Sequence, residues 1–100
     1  MQWAKELDAV ISVCDAEGIL IEMNDKAISH FAKYGGTKLI GSNLLDCHPE
    51  PSRSKLKKLM QTQGSNTYIV EKGDTKRLIT QKPWYQDGKY AGFIEIQIEL

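Results

Sequence analysis

Apolar and polar positions along this chain follow two periods, one of two residues and one of three to four, and together they divide it into strands and helices. The opening MQWAKELD places Trp3, Ala4 and Leu7 on one side of a short helix over residues 1–8. AVISVCD is rich in β-branched residues and predicts a strand. AEG follows as a turn in which Gly18 is free to take a positive φ, and ILIEMN predicts the returning strand, so residues 9–23 form a hairpin. Asn24 suits the N-cap of a helix over DKAISHFAKY, with Ala27, Ile28 and Phe31 on its inner face and Gly35-Gly36 ending it. TKLIGSNLLDC is compact and irregular, with short helical turns. PEPSRSKLKKLMQTQ starts with prolines and continues as a helix whose apolar stripe is Leu56, Leu59 and Met60; Lys55, Lys57 and Lys58 face water and Gly64 stops it. NTYIVEKGDTKRLITQKPWY predicts a hairpin turning at Gly73-Asp74, residues 86–89 a second turn, and YAGFIEIQIEL the last strand. Helices interrupting one antiparallel sheet make an α+β fold.

The chain has 100 residues, which bounds it to one small domain with one core and room for one small pocket. Lys plus Arg and Asp plus Glu are both 13, so the formal net charge is zero, without the basic field of a nucleic-acid binder. No apolar run approaches the ~20 residues that span a bilayer. The N-terminus lacks the basic start and apolar stretch of a signal peptide. Two cysteines make no disulfide framework. The expected setting is the reducing cytoplasm, with no membrane contact by this segment. FIEIQIEL breaks off in what reads as a strand, so the chain reads as a module of a longer polypeptide.

Three stretches, in order, resemble the PAS domain family over residues 9–100. VCDAEGILIEMND has an acidic residue ending the first strand and an Asn after the second. LIGSNLLDCHPEPSR has Gly, hydrophobics and a His-Pro-acidic loop before the long helix. YQDGKYAGFIEIQIE has an Asp-Gly turn and the closing strand. The resemblance implies a five-stranded antiparallel sheet in the order 2-1-5-4-3, with short helices and one longer helix packed on one face and residues 1–8 as a flanking helix. It also implies a sensory and interaction module of a larger bacterial-type signalling or regulatory protein. Such a module senses a small ligand or relays a signal through dimerisation, serves an output domain of the same polypeptide, and is not itself an enzyme.

LLDCHPEPSR brings a thiol, an imidazole and a carboxylate together at Cys47, His48 and Glu50. In the family a His-Pro pair at this place is mostly structural. Pro49 and Pro51 would shape the start of the helix, and Glu50 and Ser52 suit its positive end. Cys14, His30, Cys47 and His48 total two Cys and two His, but structural zinc takes ligands in spaced pairs, so no metal site is expected. A Cys-His nucleophile would need an orienting group and a substrate site, so no catalytic residue is assigned. Flavin-binding light-oxygen-voltage members carry Gly-x-Asn-Cys-Arg-Phe-Leu-Gln. Here Gly41, Ser42 and Asn43 are followed by Leu44 in place of the photoreactive Cys, so flavin-thiol photochemistry is not expected. The long helix lacks the axial His of many haem-binding members, for which His30 or His48 could substitute. The expected occupant is no cofactor or a small organic ligand. A redox or gas sensor holding haem, flavin or metal through Cys14, Cys47 or His48, and a pure dimerisation scaffold, remain as alternatives.

FIEIQIE resembles the flavin members' FIGVQLD, which puts Gln97 where their flavin-facing Gln stands. Alternation across the sheet then turns Ser12, Cys14, Ile79, Gln81, Phe93, Glu95 and Gln97 inward, toward a pocket that Phe31, Leu44 and Cys47 also border. Ile11, Val13, Leu78, Ile94, Ile96 and Ile98 turn outward, a row too large to leave wet. Family members cover that face with an N-terminal helix or a second copy. Trp3 and Leu7 would supply the helix and a homodimer the copy.

Overall fold

The computed structural model describes residues 2–100, and the backbone alone at Cys47. Five strands form one antiparallel sheet: β1 Val10–Asp15, β2 Leu20–Met23, β3 Asn66–Lys72, β4 Thr75–Gln86 and β5 Lys89–Glu99. Their spatial order is β2-β1-β5-β4-β3, as expected from the sequence. Between β2 and β3 lie α1 (Asp25–His30), the single turn α2 (Leu44–Cys47) and α3 (Ser52–Thr62), with 3₁₀ turns over Ala32–Tyr34 and Gly36–Leu39. The first helix is therefore shorter than the apolar period predicted, continuing as 3₁₀ turns up to the glycines. The β4–β5 hairpin turns at Asp87 and Gly88, with φ of 53° and 79°; a type I′ turn needs such values at both positions.

The N-terminal expectation needs correction. Among the described residues of this segment only Gln2–Ala4 is helical, as one 3₁₀ turn, and Trp3 is 77% and Leu7 46% exposed. The small residues do the packing instead: Ala4 and Ala9 bury against Ile11 and Val13 on the outer sheet face, flanked by Trp84, Ile94 and Ile96. One side chain fixes this cover. Asn24, 1% exposed, accepts from the amides of Ile11 (3.1 Å) and Ala27 (3.0 Å) through Oδ1. Its Nδ2 donates to the carbonyls of Ala9 (2.7 Å) and Ala4 (3.0 Å). It is thus the N-cap of α1 and also the link between the N-terminal segment, β1 and α1.

Asp15 ends β1 as an Asx turn, accepting from Glu17 N at 2.9 Å and Ile19 N at 3.0 Å. Across the sheet, Gly92 lies so close to β1 that a Cβ would stand 2.0 Å from the Cys14 carbonyl oxygen. Trp84, opposite Gly92 on β4, donates from Nε1 to that same oxygen at 3.0 Å. The missing side chain lets a β4 indole reach across β5 to β1.

Candidate ligand cavity

The register places one row of side chains on the inner face: Ser12 and Cys14 on β1, Phe93, Glu95 and Gln97 on β5, and Gln81 on β4. The helical segments form the opposite wall. Three backbone hydrogen bonds hold the loop before α2 against the edge of the β1–β2 hairpin: Gly41 N donates to Leu20 O at 2.8 Å, Leu20 N to Ser42 O at 2.9 Å and Leu44 N to Gly18 O at 2.9 Å. Asn43 caps α2 through the Leu45 amide at 2.9 Å. This stitching hangs Leu44 and His48 over the sheet. Leu56, on the stripe of α3, closes the wall from the other side. A cavity of about 710 Å³ lies between the layers, within the range of roughly 300–1,000 Å³ typical of small-molecule sites.

Of the side chains expected at a pocket, Ser12, Cys14, Phe31, Leu44, Gln81, Phe93, Glu95 and Gln97 line this cavity. Ile79 does not line it; half-buried, it pairs with Gln97 further along the sheet. The side chain of Cys47 lies outside the described residues. His48, offered as a cofactor ligand, lines the cavity too, while sequence reasoning missed Leu20, Met23, Tyr34 and Leu39 among others. Leu20 pairs with Cys14 and Met23 with Ser12, and a register shift between Val13 and Cys14 brings these two residues of opposite parity to one face, which strict alternation does not encode.

The polar side chains on this face form a directed chain. Arg77 Nη1 donates to Gln97 Oε1 at 3.1 Å, and Gln97 Nε2 donates to Glu95 Oε1 at 2.9 Å. From the other side, Asn66 Nδ2 donates to Gln81 Oε1 at 3.4 Å and Gln81 Nε2 to Glu95 Oε2 at 3.0 Å. Arginine only donates and an ionised carboxylate only accepts, so both amides are oriented and both point at Glu95. Partial desolvation first, and then the Glu95 charge, push the Tyr68 hydroxyl above its ordinary pKa although the residue as a whole is exposed. His30 lies at the far end, its Nε2 3.2 Å from Arg77 Nη1; burial, then the guanidinium, hold its pKa below the usual value.

The thiol of Cys14 is buried, and that burial raises its pKa, which keeps it a protonated, apolar-like group. His48 Nδ1 donates to the Leu44 carbonyl at 2.6 Å, so a neutral ring has its lone pair at Nε2. Glu50 accepts from the amide of Ser54 at 3.0 Å, in the first turn of α3. Among the described residues no group of three or more His, Cys, Asp or Glu converges on a metal-sized site.

No protein-family model matches the sequence, and neither does any curated protein. Solved structures do resemble it. The C-terminal domain of a Streptococcus mutans protein superposes with a TM-score of 0.79 at 16% identity, covering 98% of this chain and 80% of that one. The PAS domain of the histidine kinase ThkA gives 0.71 at 18% identity, covering 92% and 99%. The Aer2 receptor of Vibrio cholerae, described as a dual PAS-haem oxygen sensor, gives 0.67 at 17% identity, covering 92% and 94%. At such identities the likeness establishes the fold.

Proposed function

Because this chain carries the PAS fold, we propose that it is a sensory module of a larger signalling protein, one that binds a small organic ligand and relays its presence through a homodimer. The observation that supports this reading is the cavity of about 710 Å³ between the inner sheet face and the helices. Its floor also touches the outer face. The Cys14 side chain lines the cavity while the Cys14 carbonyl accepts from Trp84, which packs in the outer-face cluster. A ligand pressing on β1 therefore acts on groups that shape the other side of the sheet. Binding and relay are the work proposed, with catalysis left to an output domain of the same polypeptide.

The dimer reading rests on what the N-terminal segment leaves uncovered. Ile11 is 1% exposed beneath it, whereas Ile98 is 40% exposed and pairs with Leu78, next to Ile69 on β3. Trp3 and Leu7, exposed on the covering segment itself, would extend the apolar area. Ile98→Lys should leave the melting temperature nearly unchanged and convert a sedimenting dimer to a monomer. A wild type that sediments as a monomer at high concentration contradicts the dimer.

Ligand binding is tested by melting-temperature shifts across a set of small organic compounds, with wild type beside Leu44→Trp, which fills the cavity. Shifts lost in the filled but folded variant support the reading; wild type unmoved by every compound contradicts it.

A haem-holding gas sensor is a second reading, favoured by His48, which lines the cavity with its ring fixed in the tautomer that offers a lone pair at Nε2. The rest of the lining does not suit haem. Among the described lining residues there is no Lys or Arg to meet two propionates, and Glu95 would oppose them. A Soret band in freshly purified protein, absent in His48→Ala, would establish this reading over the first.

A further inference from the structure

The cavity is electrostatically one-sided. Among its described lining residues Glu95 is the only Asp, Glu, Lys or Arg, and no ion pair among the described residues reaches it. Its carboxylate accepts one amide hydrogen bond on each oxygen, from Gln97 and from Gln81, in a chain of donors that ends at Arg77 on one side and Asn66 on the other. An ionised carboxylate offers about four acceptor sites, so about two remain for the cavity. The amides steady the charge and cannot neutralise it. Arg77 is spent on Gln97 and His30 and does not line the space. The opposite wall is mostly apolar and aromatic, with Phe31, Leu39, Leu44 and Leu56 beside the polar Ser42 and His48, and Phe93 stands beside Glu95 on the sheet.

We infer that the cavity selects a flat, apolar-bodied ligand carrying a cationic or strongly hydrogen-bond-donating nitrogen group, with Glu95 as its anchor, and rejects anions of the same shape. This rests on the reading of the cavity as a ligand site. An ammonium or amidinium would complete the acceptor capacity of Glu95, and its ring would lie among the aromatic and leucine side chains, where a cation also gains from ring faces. A carboxylate or phosphate would meet an uncompensated like charge in a partly desolvated space.

Three probes sharing one ring system separate charge from shape: 1-naphthylmethylamine as its cation, 1-naphthalenemethanol and 1-naphthoate. Their dissociation constants, measured by isothermal titration against the whole chain, should rank cation tighter than alcohol and alcohol tighter than carboxylate. The gap between cation and alcohol should be about tenfold, the difference between a charged and a neutral hydrogen bond. Glu95→Gln should abolish that gap while leaving the alcohol unchanged, and Glu95→Asp should retain part of it. If Glu95→Gln does not fold, the wild-type order alone decides. Equal binding of all three, or naphthoate binding best, overturns the inference while leaving a ligand cavity in place. Binding of none of them overturns the inference and the cavity reading together.

Discussion

The two ends of the one sheet are built differently. On β1, four of six residues are buried, between the N-terminal cover on the outer face and the cavity wall on the inner. On β3 every residue is exposed, including Tyr68, Ile69 and Val70. The β1 end is fixed by a buried polar hub at Asn24 and by Ala4 and Ala9 packing on Ile11 and Val13. The β3–β4 end is held by its ladder and by exposed side-chain pairs such as Thr67 with Thr80, 2.8 Å apart. The same backbone pattern thus gives a rigid region beside a loose one, and the cavity spans both, since Ser12 and Cys14 come from the first and Gln81 from β4. Local opening is easiest where few apolar contacts bury the backbone, which is the β3 end here.

The largest effect should come from the close approach between β5 and β1. Gly92→Ala puts a methyl group 2.0 Å from backbone at Cys14, with φ at 148°, so either β5 parts from β1 or the chain does not fold. A loss of roughly 4 kcal/mol or more in denaturant unfolding is expected. A variant as stable as wild type would mean that the two strands are not held together there.

Asn24→Ala ranks next. It removes a helix cap and leaves the Ile11 amide and the Ala9 carbonyl without their partner, for a loss of roughly 3 kcal/mol. Hydrogen exchange should then quicken along β1 far more than along β3. A uniform change across the sheet would erase the distinction between the two ends. Thr80→Ala, on the loose side, should cost only about 0.5 kcal/mol and leave β1 exchange unchanged.

The smallest effect lies at the seam, where His30 of α1 meets Arg77 of β4. The folded state favours neutral His30, because burial and the guanidinium lower its pKa. The unfolded chain therefore takes up the proton first. This stabilisation is complete above the ordinary value near 6.5 and is lost as pH falls through the lower folded value. Melting temperatures of wild type and His30→Asn should be parallel above neutral pH, with wild type falling faster in mild acid. Parallel curves throughout would remove His30 from the seam.

Much of this was legible in the residues. Alternation in FIEIQIE, with Gln97 turned inward, assigned both faces of β5, and those assignments carried to Ser12, Cys14 and Gln81 across the ladder. Asn24 could be read as a cap because its role there is local. Its bonds to Ala4 and Ala9 could not, since they depend on where a segment about twenty residues earlier lies in space. Trp3 and Leu7 misled because size was equated with burial, whereas the narrow space over Ile11 and Val13 takes alanines. Arg77 was overlooked although it shares the parity of Ile79 and Gln81. Its pairing with Gln97 depends on a side-chain reach that alternation does not encode.

The claim that this cavity holds a small organic ligand is tested most directly by native mass spectrometry of the gently purified wild-type chain beside Leu44→Trp. The account predicts a non-covalent small-molecule adduct on wild type, released by denaturation and absent from the folded variant. A bare polypeptide mass for both, with no adduct forming when the naphthyl cation is added to wild type, would contradict it.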